Sequence, residues 1–373
     1  MSITSVDTSD QIAIATEAAP VCLLCGARGA TLYPALQDLV FGAPGVWRMV
    51  ECPSCELAWL DPRPTPADIG KAYATYYTHA SQQAGNVFHR VIPSAERAEG
   101  ARARVAGWFR NAAEHIRARR LGHRAPDASI GVRLLSHVAE RIPVIRDSAV
   151  LGVASLPPGQ GKRLLDVGCG SGDFLHRMRA RGWTVLGVEP DPVAATTARG
   201  NGLDVRDGML SDAAFSSDFF DAIVLSHVIE HVHDPIAVLQ ECARVLRPGG
   251  VLVLLTPNLT SVGHRRFGED WRGLEPPRHL HVFSVPALHA CVERVGLTVS
   301  EARTSARLVR GIWWVSRSTQ HRAGRRRRAP GVGAYLMSWG MSLVEDVMRV
   351  SDPRSSEEIA LFATKLQPSQ GQP

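Results

Sequence analysis

The stretch Arg163–Phe174, RLLDVGCGSGDF, constrains what this chain can fold into more than any other segment. Leu164, Leu165 and Val167 form an apolar run that reads as a buried parallel strand. It stops at Gly168-Cys169-Gly170-Ser171-Gly172, and a helical pattern starts at Asp173. A strand, a glycine turn and a helix place backbone N–H groups around an approaching ligand, and glycines allow that approach because they lack Cβ. A second strand, Trp183 to Val188, ends in Glu189, an acid suited to two ribose hydroxyls. The whole reads as a nucleoside-binding βαβ unit.

The order D-V-G-C-G-S-G, with Asp166 ahead of the first glycine, selects among nucleosides. An acid there repels a pyrophosphate. It suits a cationic ligand with an amino group, such as S-adenosylmethionine. The segment resembles the first motif of the class I, Rossmann-like SAM-dependent methyltransferases, and GVEPDP (Gly187 to Pro192) resembles the second. FDAIVLSHVIEHVHDP (Phe220 to Pro235) is similar to that family's fourth strand and following loop, and RVLRPGGVLVLLTPN (Arg244 to Asn258) to its helix, turn and fifth strand. The likeness runs from about Lys162 to Thr304. It implies an α/β fold with a doubly wound, mostly parallel seven-stranded sheet. It also implies that Asp166, Gly168, Cys169, Gly170 and Gly172 surround the methionine part, with Glu189 and Pro190 at the ribose. Gly208, Met209 and Leu210 would then meet adenine, and Ser226 and His227 would close the pocket.

Cysteine pairs stand ahead of this core. Cys22-Leu-Leu-Cys25 and Cys52-Pro-Ser-Cys55 are two tight turns, each able to aim two thiolates at one ion. Together they fill a tetrahedral Zn²⁺ site and leave no open position for catalysis, so the zinc is expected to be structural. In comparable peptides such an ion contributes about 10–16 kcal/mol of folding free energy. Segments Trp47 to Val50 and Leu57 to Leu60 are expected as strands of a small zinc-ribbon-like hairpin. Cys169, Cys242 and Cys291 lie in apolar contexts and read as core fillers.

The remaining organisation follows from breaks in pattern. Residues 1–20 read as a flexible lead, 21–78 as the zinc module and 79–160 as a helical linker or cap, with Glu96 to Arg120 rich in Arg, Ala and Glu. Residues 161–306 read as the SAM-binding core, 307–356 as a helical basic insertion, 357–366 as the last core strand and 367–373 as a tail. Core strands are expected at 163–168, 183–189, 203–207, 221–227, 250–256, 297–303 and 358–365. Helices are expected at 172–181, 191–200, 235–247 and 285–295. Pro248-Gly249-Gly250 is expected to end a helix and start a strand, and Asp68 to Tyr77 to form a short helix.

The net charge is +6, but only Lys71, Lys162 and Lys365 are lysines. An arginine bias of this kind argues weakly for a nucleic-acid partner. The N-terminus has acids and no basic n-region, and no uninterrupted apolar run is long enough to span a bilayer, so a cytoplasmic location is expected. The insertion combines Trp313-Trp314, Arg325 to Arg328 and an apolar stretch from Val332 to Val344. It reads either as a packed helical cap or as a peripheral membrane contact through 307–350.

Methyl transfer needs acceptor, methyl carbon and sulfur in line, so reactive side chains belong at the carboxyl ends of the fourth and fifth strands. His227, Glu230 and His231 follow strand four on one helical face. His227 and His231 are candidates for catalysis and Glu230 for shaping the acceptor pocket. Quinone-pathway O-methyltransferases resemble this stretch and hold a divalent cation with E-x-x-E-H; here His227 stands where the first acid falls. Along SVGHRRFGEDWRGLEPPRHLHVFS (Ser261 to Ser284), His264, Arg265, Trp271 and Arg278 are candidates for acceptor binding and His279 for the base. A zinc module ahead of this fold also resembles the deoxysugar C-methyltransferases, whose late E-H pair appears here as Arg278-His279. The acceptor is therefore expected to be a small molecule or glycan-type intermediate such as a nucleotide sugar, methylated on oxygen or carbon. Two alternatives stay open: a zinc-bearing RNA methyltransferase, and a non-catalytic zinc-bearing scaffold.

Overall fold

The computed structural model describes residues 13–74, 111–327, 329–330 and 332–367. The expected lead (1–12 of it), the first part of the linker and the tail beyond 367 lie outside the described residues.

Seven strands form the central sheet: β6 (Arg163–Val167), β7 (Thr184–Glu189), β8 (Val205–Asp207), β9 (Phe220–Ser226), β10 (Leu246–Pro257), β12 (Leu297–Ser305) and β13 (Glu358–Lys365). Their spatial order is β12-β13-β10-β9-β6-β7-β8, with β13 antiparallel to both neighbours. The order reverses between β6 and β9, which opens a crevice above their carboxyl ends. Side chains alternate between two packed faces. Leu165, Ile223, Leu252 and Leu361 face one side, and Leu164, Ala222, Val253 and Phe362 the other.

Helix starts are capped as their sequences demand. Asp191 accepts from Val193 N at 2.9 Å ahead of Pro192 in α4 (Pro192–Gly200). Asp234 accepts from Ala237 N at 2.9 Å ahead of α5 (Pro235–Val245), and Ser284 from Ala287 N at 3.2 Å ahead of α7 (Val285–Arg294). Among the described residues, further helices are α1 (Ile130–Glu140), α2 (Pro143–Leu151), α3 (Asp173–Arg179), α6 (Val262–Phe267), α8 (Val309–Arg322) and α9 (Val332–Ser351), and residues 111–121 are also helical.

The strand expected to begin at Pro248-Gly249-Gly250 instead runs from Leu246 with an irregularity before Val251. Leu246 already pairs with Phe220, so the glycines bend the strand rather than start it. The helix expected from Asp68 is a single 3₁₀ turn, Ile69–Tyr73.

The cysteine-bearing segment folds as β2 (Ala30–Leu36), β3 (Trp47–Glu51) and β4 (Ala58–Leu60), an antiparallel meander. Its fourth strand, β11 (His281–Val282), comes from the loop that follows the core's fifth strand, and pairs His281 with Trp59 and Val282 with Ala58. A short ribbon of β1 (Thr16–Glu17) with β5 (Arg63–Pro64) lies beside it. Cys22, Val50, Cys52, Leu57 and Trp59 join the core on the face that carries α5 and α7. Helices α8 and α9 pack together over the same loop, and α9 exposes Trp339, Leu343, Val347 and Val350 at helical spacing. No helix of the described residues is long and apolar enough to cross a membrane.

Candidate functional site

The glycine loop sits at the switch point between β6 and β9. Gly168 has φ +71° and Gly170 has φ +54°, conformations that L side chains rarely adopt. A Cβ on Gly168 would lie 2.6 Å from Val228 Cγ2, whereas one on Gly170 would meet nothing within 4 Å. Gly168 is therefore required by packing, and the open space beside Gly170 admits a ligand. Cys169 is buried, and a Cβ on Gly187 would lie 2.5 Å from its Sγ, so that side chain packs against β7. Gly172 caps α3.

Glu189 ends β7 and clamps the loop. Its Oε2 accepts from Gly170 N at 2.7 Å and its Oε1 from Asp191 N at 2.9 Å. Each oxygen keeps a second lone pair for a hydroxyl donor. Asp166 is buried at 4% exposure, and burial, with Glu189 beside it, pushes its carboxyl up to about 8. Arg177 opposes that rise without overcoming it, and an amino group above the loop would supply further compensating charge. Gly208 N donates to Glu189 O at 3.1 Å; Met209 is exposed, Leu210 buried, and Asp212 Oδ2 accepts from Met209 N at 3.0 Å. Asp212 was not expected from sequence; its position three residues after Met209 in a 3₁₀ turn was the available signal. Pro190 and Ser226 are exposed at the ends of β7 and β9.

His227 follows β9 in the left-handed region, at φ +57°. Its Nε2 lies 3.0 Å from Glu358 Oε1 and its Nδ1 3.3 Å from Glu230 Oε1. Burial opposes the charge, but the two carboxylates raise the ring to about 9. Burial also opposes charge on Glu230 and Glu358. His227 overcomes it at the first, and Arg307, with His227, at the second, so both are held near 2. Arg307 grips Glu358 at 2.6 Å through both Nε and Nη2. His227 is thus a held cation, unsuited to taking a proton. Glu358 and Arg307 were not foreseen, because only the sheet order brings the start of β13 and the residues after β12 to the end of the sheet where β9 and β10 terminate.

His231 and His279 meet edge to face, ring centroids 4.6 Å apart. His231 Nδ1 lies 3.0 Å from the Arg278 carbonyl and 2.9 Å from the Tyr73 hydroxyl. A carbonyl only accepts, so Nδ1 carries the proton and Nε2 the lone pair. His279 Nδ1 likewise donates to Gly273 O at 2.7 Å, but its ring is buried and burial lowers it to about 4 despite Glu275. That makes His279 a weak base shut off from solvent. One ligand atom each of Glu230, His231 and His279 lies within 4.8 Å of the others.

Three residues expected to grip the acceptor do other work. Arg278 is fully buried: Nη2 reaches Asp38 Oδ2 at 2.7 Å, Nε Glu275 Oε1 at 3.0 Å and Nη1 Ala72 O at 2.8 Å. It ties the cysteine-bearing segment to the core loop. Trp271 is 2% exposed and donates Nε1–H to Glu357 Oε2 at 2.8 Å, so its face cannot stack on a sugar. His264 is spanned between Leu259 O at 2.5 Å and the Tyr33 hydroxyl at 2.8 Å. Arg265 is exposed and reaches Thr260 O and Asp352.

The Sγ atoms of Cys22, Cys25, Cys52 and Cys55 lie within 4.8 Å of one another. Leu24 N points at Cys22 Sγ at 3.4 Å and Cys55 N at Cys52 Sγ at 3.3 Å, the amide-to-sulfur contacts that steady thiolates. The donor set fits tetrahedral Zn²⁺.

Sheet order, glycine loop and terminal acid together decide the class, and residues 139–302 match a family model described as a methyltransferase domain. That stretch is similar to a methyltransferase domain. Among curated relatives, the ubiquinone biosynthesis O-methyltransferase of Cereibacter sphaeroides is 36% identical over 135 residues, 34% of this chain and 55% of that protein. The human mitochondrial ubiquinone biosynthesis O-methyltransferase is 33% identical over 179 residues, 43% of this chain and 48% of that protein. The chain spans about half the length of the curated relatives it matches. Among solved structures, an S-adenosylmethionine-dependent methyltransferase from Mesorhizobium loti is 18% identical, with 58% of this chain and 97% of that one covered at a TM-score of 0.41.

Proposed function

We propose that this chain transfers a methyl group from S-adenosylmethionine to an oxygen of a small-molecule acceptor. The observation that carries the reading is the buried Asp166 beneath a glycine loop clamped by Glu189, with open space at Gly170. S-adenosylmethionine supplies, when bound, a methyl group on a sulfonium. Asp166 receives its ammonium, Glu189 its ribose hydroxyls, and Gly208 to Leu210 line the adenine.

Among the three histidines, His231 is assigned as the base. Its Nδ1–H is fixed by the Arg278 carbonyl, which leaves Nε2 to take the acceptor's hydroxyl proton as the O–C bond forms and the S–C bond breaks. The His227 cation stabilises negative charge developing on that oxygen. An acceptor with an ionisable hydroxyl fits this pair. The matches to ubiquinone biosynthesis O-methyltransferases support oxygen as the methylated atom. A nucleotide sugar would need partners other than Arg278 and Trp271, both buried. Zinc on the four cysteines would be structural.

Calorimetric titration of the folded protein with S-adenosylmethionine and S-adenosylhomocysteine is the test. Saturable one-to-one binding, weakened at least ten-fold by Glu189→Ala, is expected. No binding by folded, zinc-loaded protein would overturn the proposal. Methyl transfer to a panel of phenols and nucleotide sugars would then separate the acceptor classes.

A further inference from the structure

A cavity of about 470 Å³ lies between α6, α8 and α9, outside the residues assigned to the cofactor and the acceptor. Helix α6 contributes Val262, Arg266 and Phe267. Helix α8 contributes Trp313, Arg317 and Gln320, spaced so that one face looks inward. Met337 and Met341 of α9 close the wall, and Arg326 stands at the α8–α9 connection.

Arg266 and Arg317 therefore converge, with Arg326 nearby, on a hollow that is apolar apart from Gln320, and no acid is among its described lining residues. Nearby acids are committed elsewhere: Glu269 and Asp270 pair with Arg325. Glu345 and Glu357 sit behind Trp313 and accept from its Nε1 at 3.0 and 3.2 Å. Burial pushes Glu345 up to about 10, so that carboxyl is neutral near pH 7 and does not compensate the cations. Arg317 has a buried Nε without a hydrogen-bond partner and its Nη1 lies against the Met337 sulfur, a poor acceptor. Burial, then Arg326 and Arg266, disfavour its charge. Like charges gathered in a partly apolar site are costly unless an anion joins them. A guanidinium matches the planar oxygens of carboxylate and the oxygens of phosphate. Apart from Gln320, the remaining lining is aliphatic, aromatic and thioether, adaptable to an apolar body. The volume falls in the range of small-molecule sites.

We infer that this cavity binds a small amphiphilic anion, an apolar body carrying a phosphate or carboxylate head, with Arg266 and Arg317 on the head and Phe267, Trp313, Met337 and Met341 on the body. The test uses full-length protein and octyl phosphate below its micellar concentration, titrated by calorimetry, with octanol as the uncharged counterpart. One saturable site is expected, with octanol at least ten-fold weaker. Arg317→Gln and Arg266→Gln should each weaken octyl phosphate at least ten-fold while leaving S-adenosylhomocysteine binding unchanged. Arg266 is exposed, so its variant decides the matter if Arg317→Gln does not fold. Flotation with vesicles of phosphatidylcholine and phosphatidylglycerol, against phosphatidylcholine alone, identifies the source. Arginine-dependent flotation assigns the head to a lipid; binding of octyl phosphate without flotation assigns it to a soluble anion. Absence of saturable binding, equal affinity for octanol, or both variants binding as the parent does would overturn the inference.

Discussion

At the scale of single residues, burial separates groups that look alike in sequence. Arg265 and Arg278 are both arginines on one loop, yet one is exposed and the other is sealed against Asp38 and Glu275. Replacing Arg278 by Met removes the buried guanidinium between Asp38, which keeps its backbone amide donors, and Glu275, which keeps Arg272, so urea unfolding should show a loss of about 3 kcal/mol, the low end of the range for breaking a buried pair. Arg265→Met should stay near the parent's stability. The histidines divide likewise. His231→Gln should lower kcat about 10²–10⁴-fold with S-adenosylhomocysteine binding unchanged. A variant that keeps the parent's kcat would remove His231 as the base. Much of this site was legible: Asp166, Gly168, Gly170 and Glu189 are local in sequence, because one strand, one turn and one helix build the loop. Glu358 and Arg307 were not, since they approach His227 through a sheet order that no local pattern encodes.

At the scale of elements, the two cysteine turns act on more than their own hairpin. Strand β4 pairs with β11, and Leu60 N donates to Leu280 O at 3.0 Å, so the cysteine-bearing sheet holds the loop that carries Arg278 and His279. Zinc analysis should find one ion per chain. Its removal by a chelator, or Cys52→Ser, should reduce methyl transfer sharply while S-adenosylhomocysteine binding persists, because the cofactor loop belongs to β6 and β7. Equal loss of both would show that the metal supports the whole fold instead. The core helices were foreseen to within a few residues because caps such as Asp191-Pro192 and Asp234-Pro235 are written locally. The two-residue strand β11 was missed because its reason for being extended is a partner more than two hundred residues earlier.

At the scale of the molecule, the charge network at the strand ends ties stability to pH. His227 is raised from 6.5 to about 9 on folding, so its contribution is complete below about 6.5 and is lost as pH rises through 9. Glu230 and Glu358 are lowered from 4.5 to about 2, so theirs is present above about 4.5 and lost as pH falls through 2. All three act together between those limits. Asp166, raised from 3.8 to about 8, adds a decline that begins as pH rises above about 3.8 and is complete near 8, since burial and Glu189 outweigh Arg177. Thermal unfolding followed from pH 5 to 9.5 should show stability falling throughout, most steeply between about 6.5 and 8, where both groups act. His227→Gln should make that fall shallower, and saturating cofactor should relieve the part due to Asp166. An unchanged slope in the variant would place the alkaline loss elsewhere.

The sequence alone determined the α/β class, the nucleoside loop, the paired cysteines and the final strand after a long insertion. Each depends on periodicity or spacing within a few neighbours, where backbone geometry leaves few choices. Only the tertiary structure decided that Arg278 and Trp271 are buried braces and that His227 is a clamped cation. It alone showed that the cysteine-bearing sheet is completed by the core's own loop. Those outcomes depend on which distant surfaces exclude water from a charge or a ring, and solvation of that kind is a property of the packed whole.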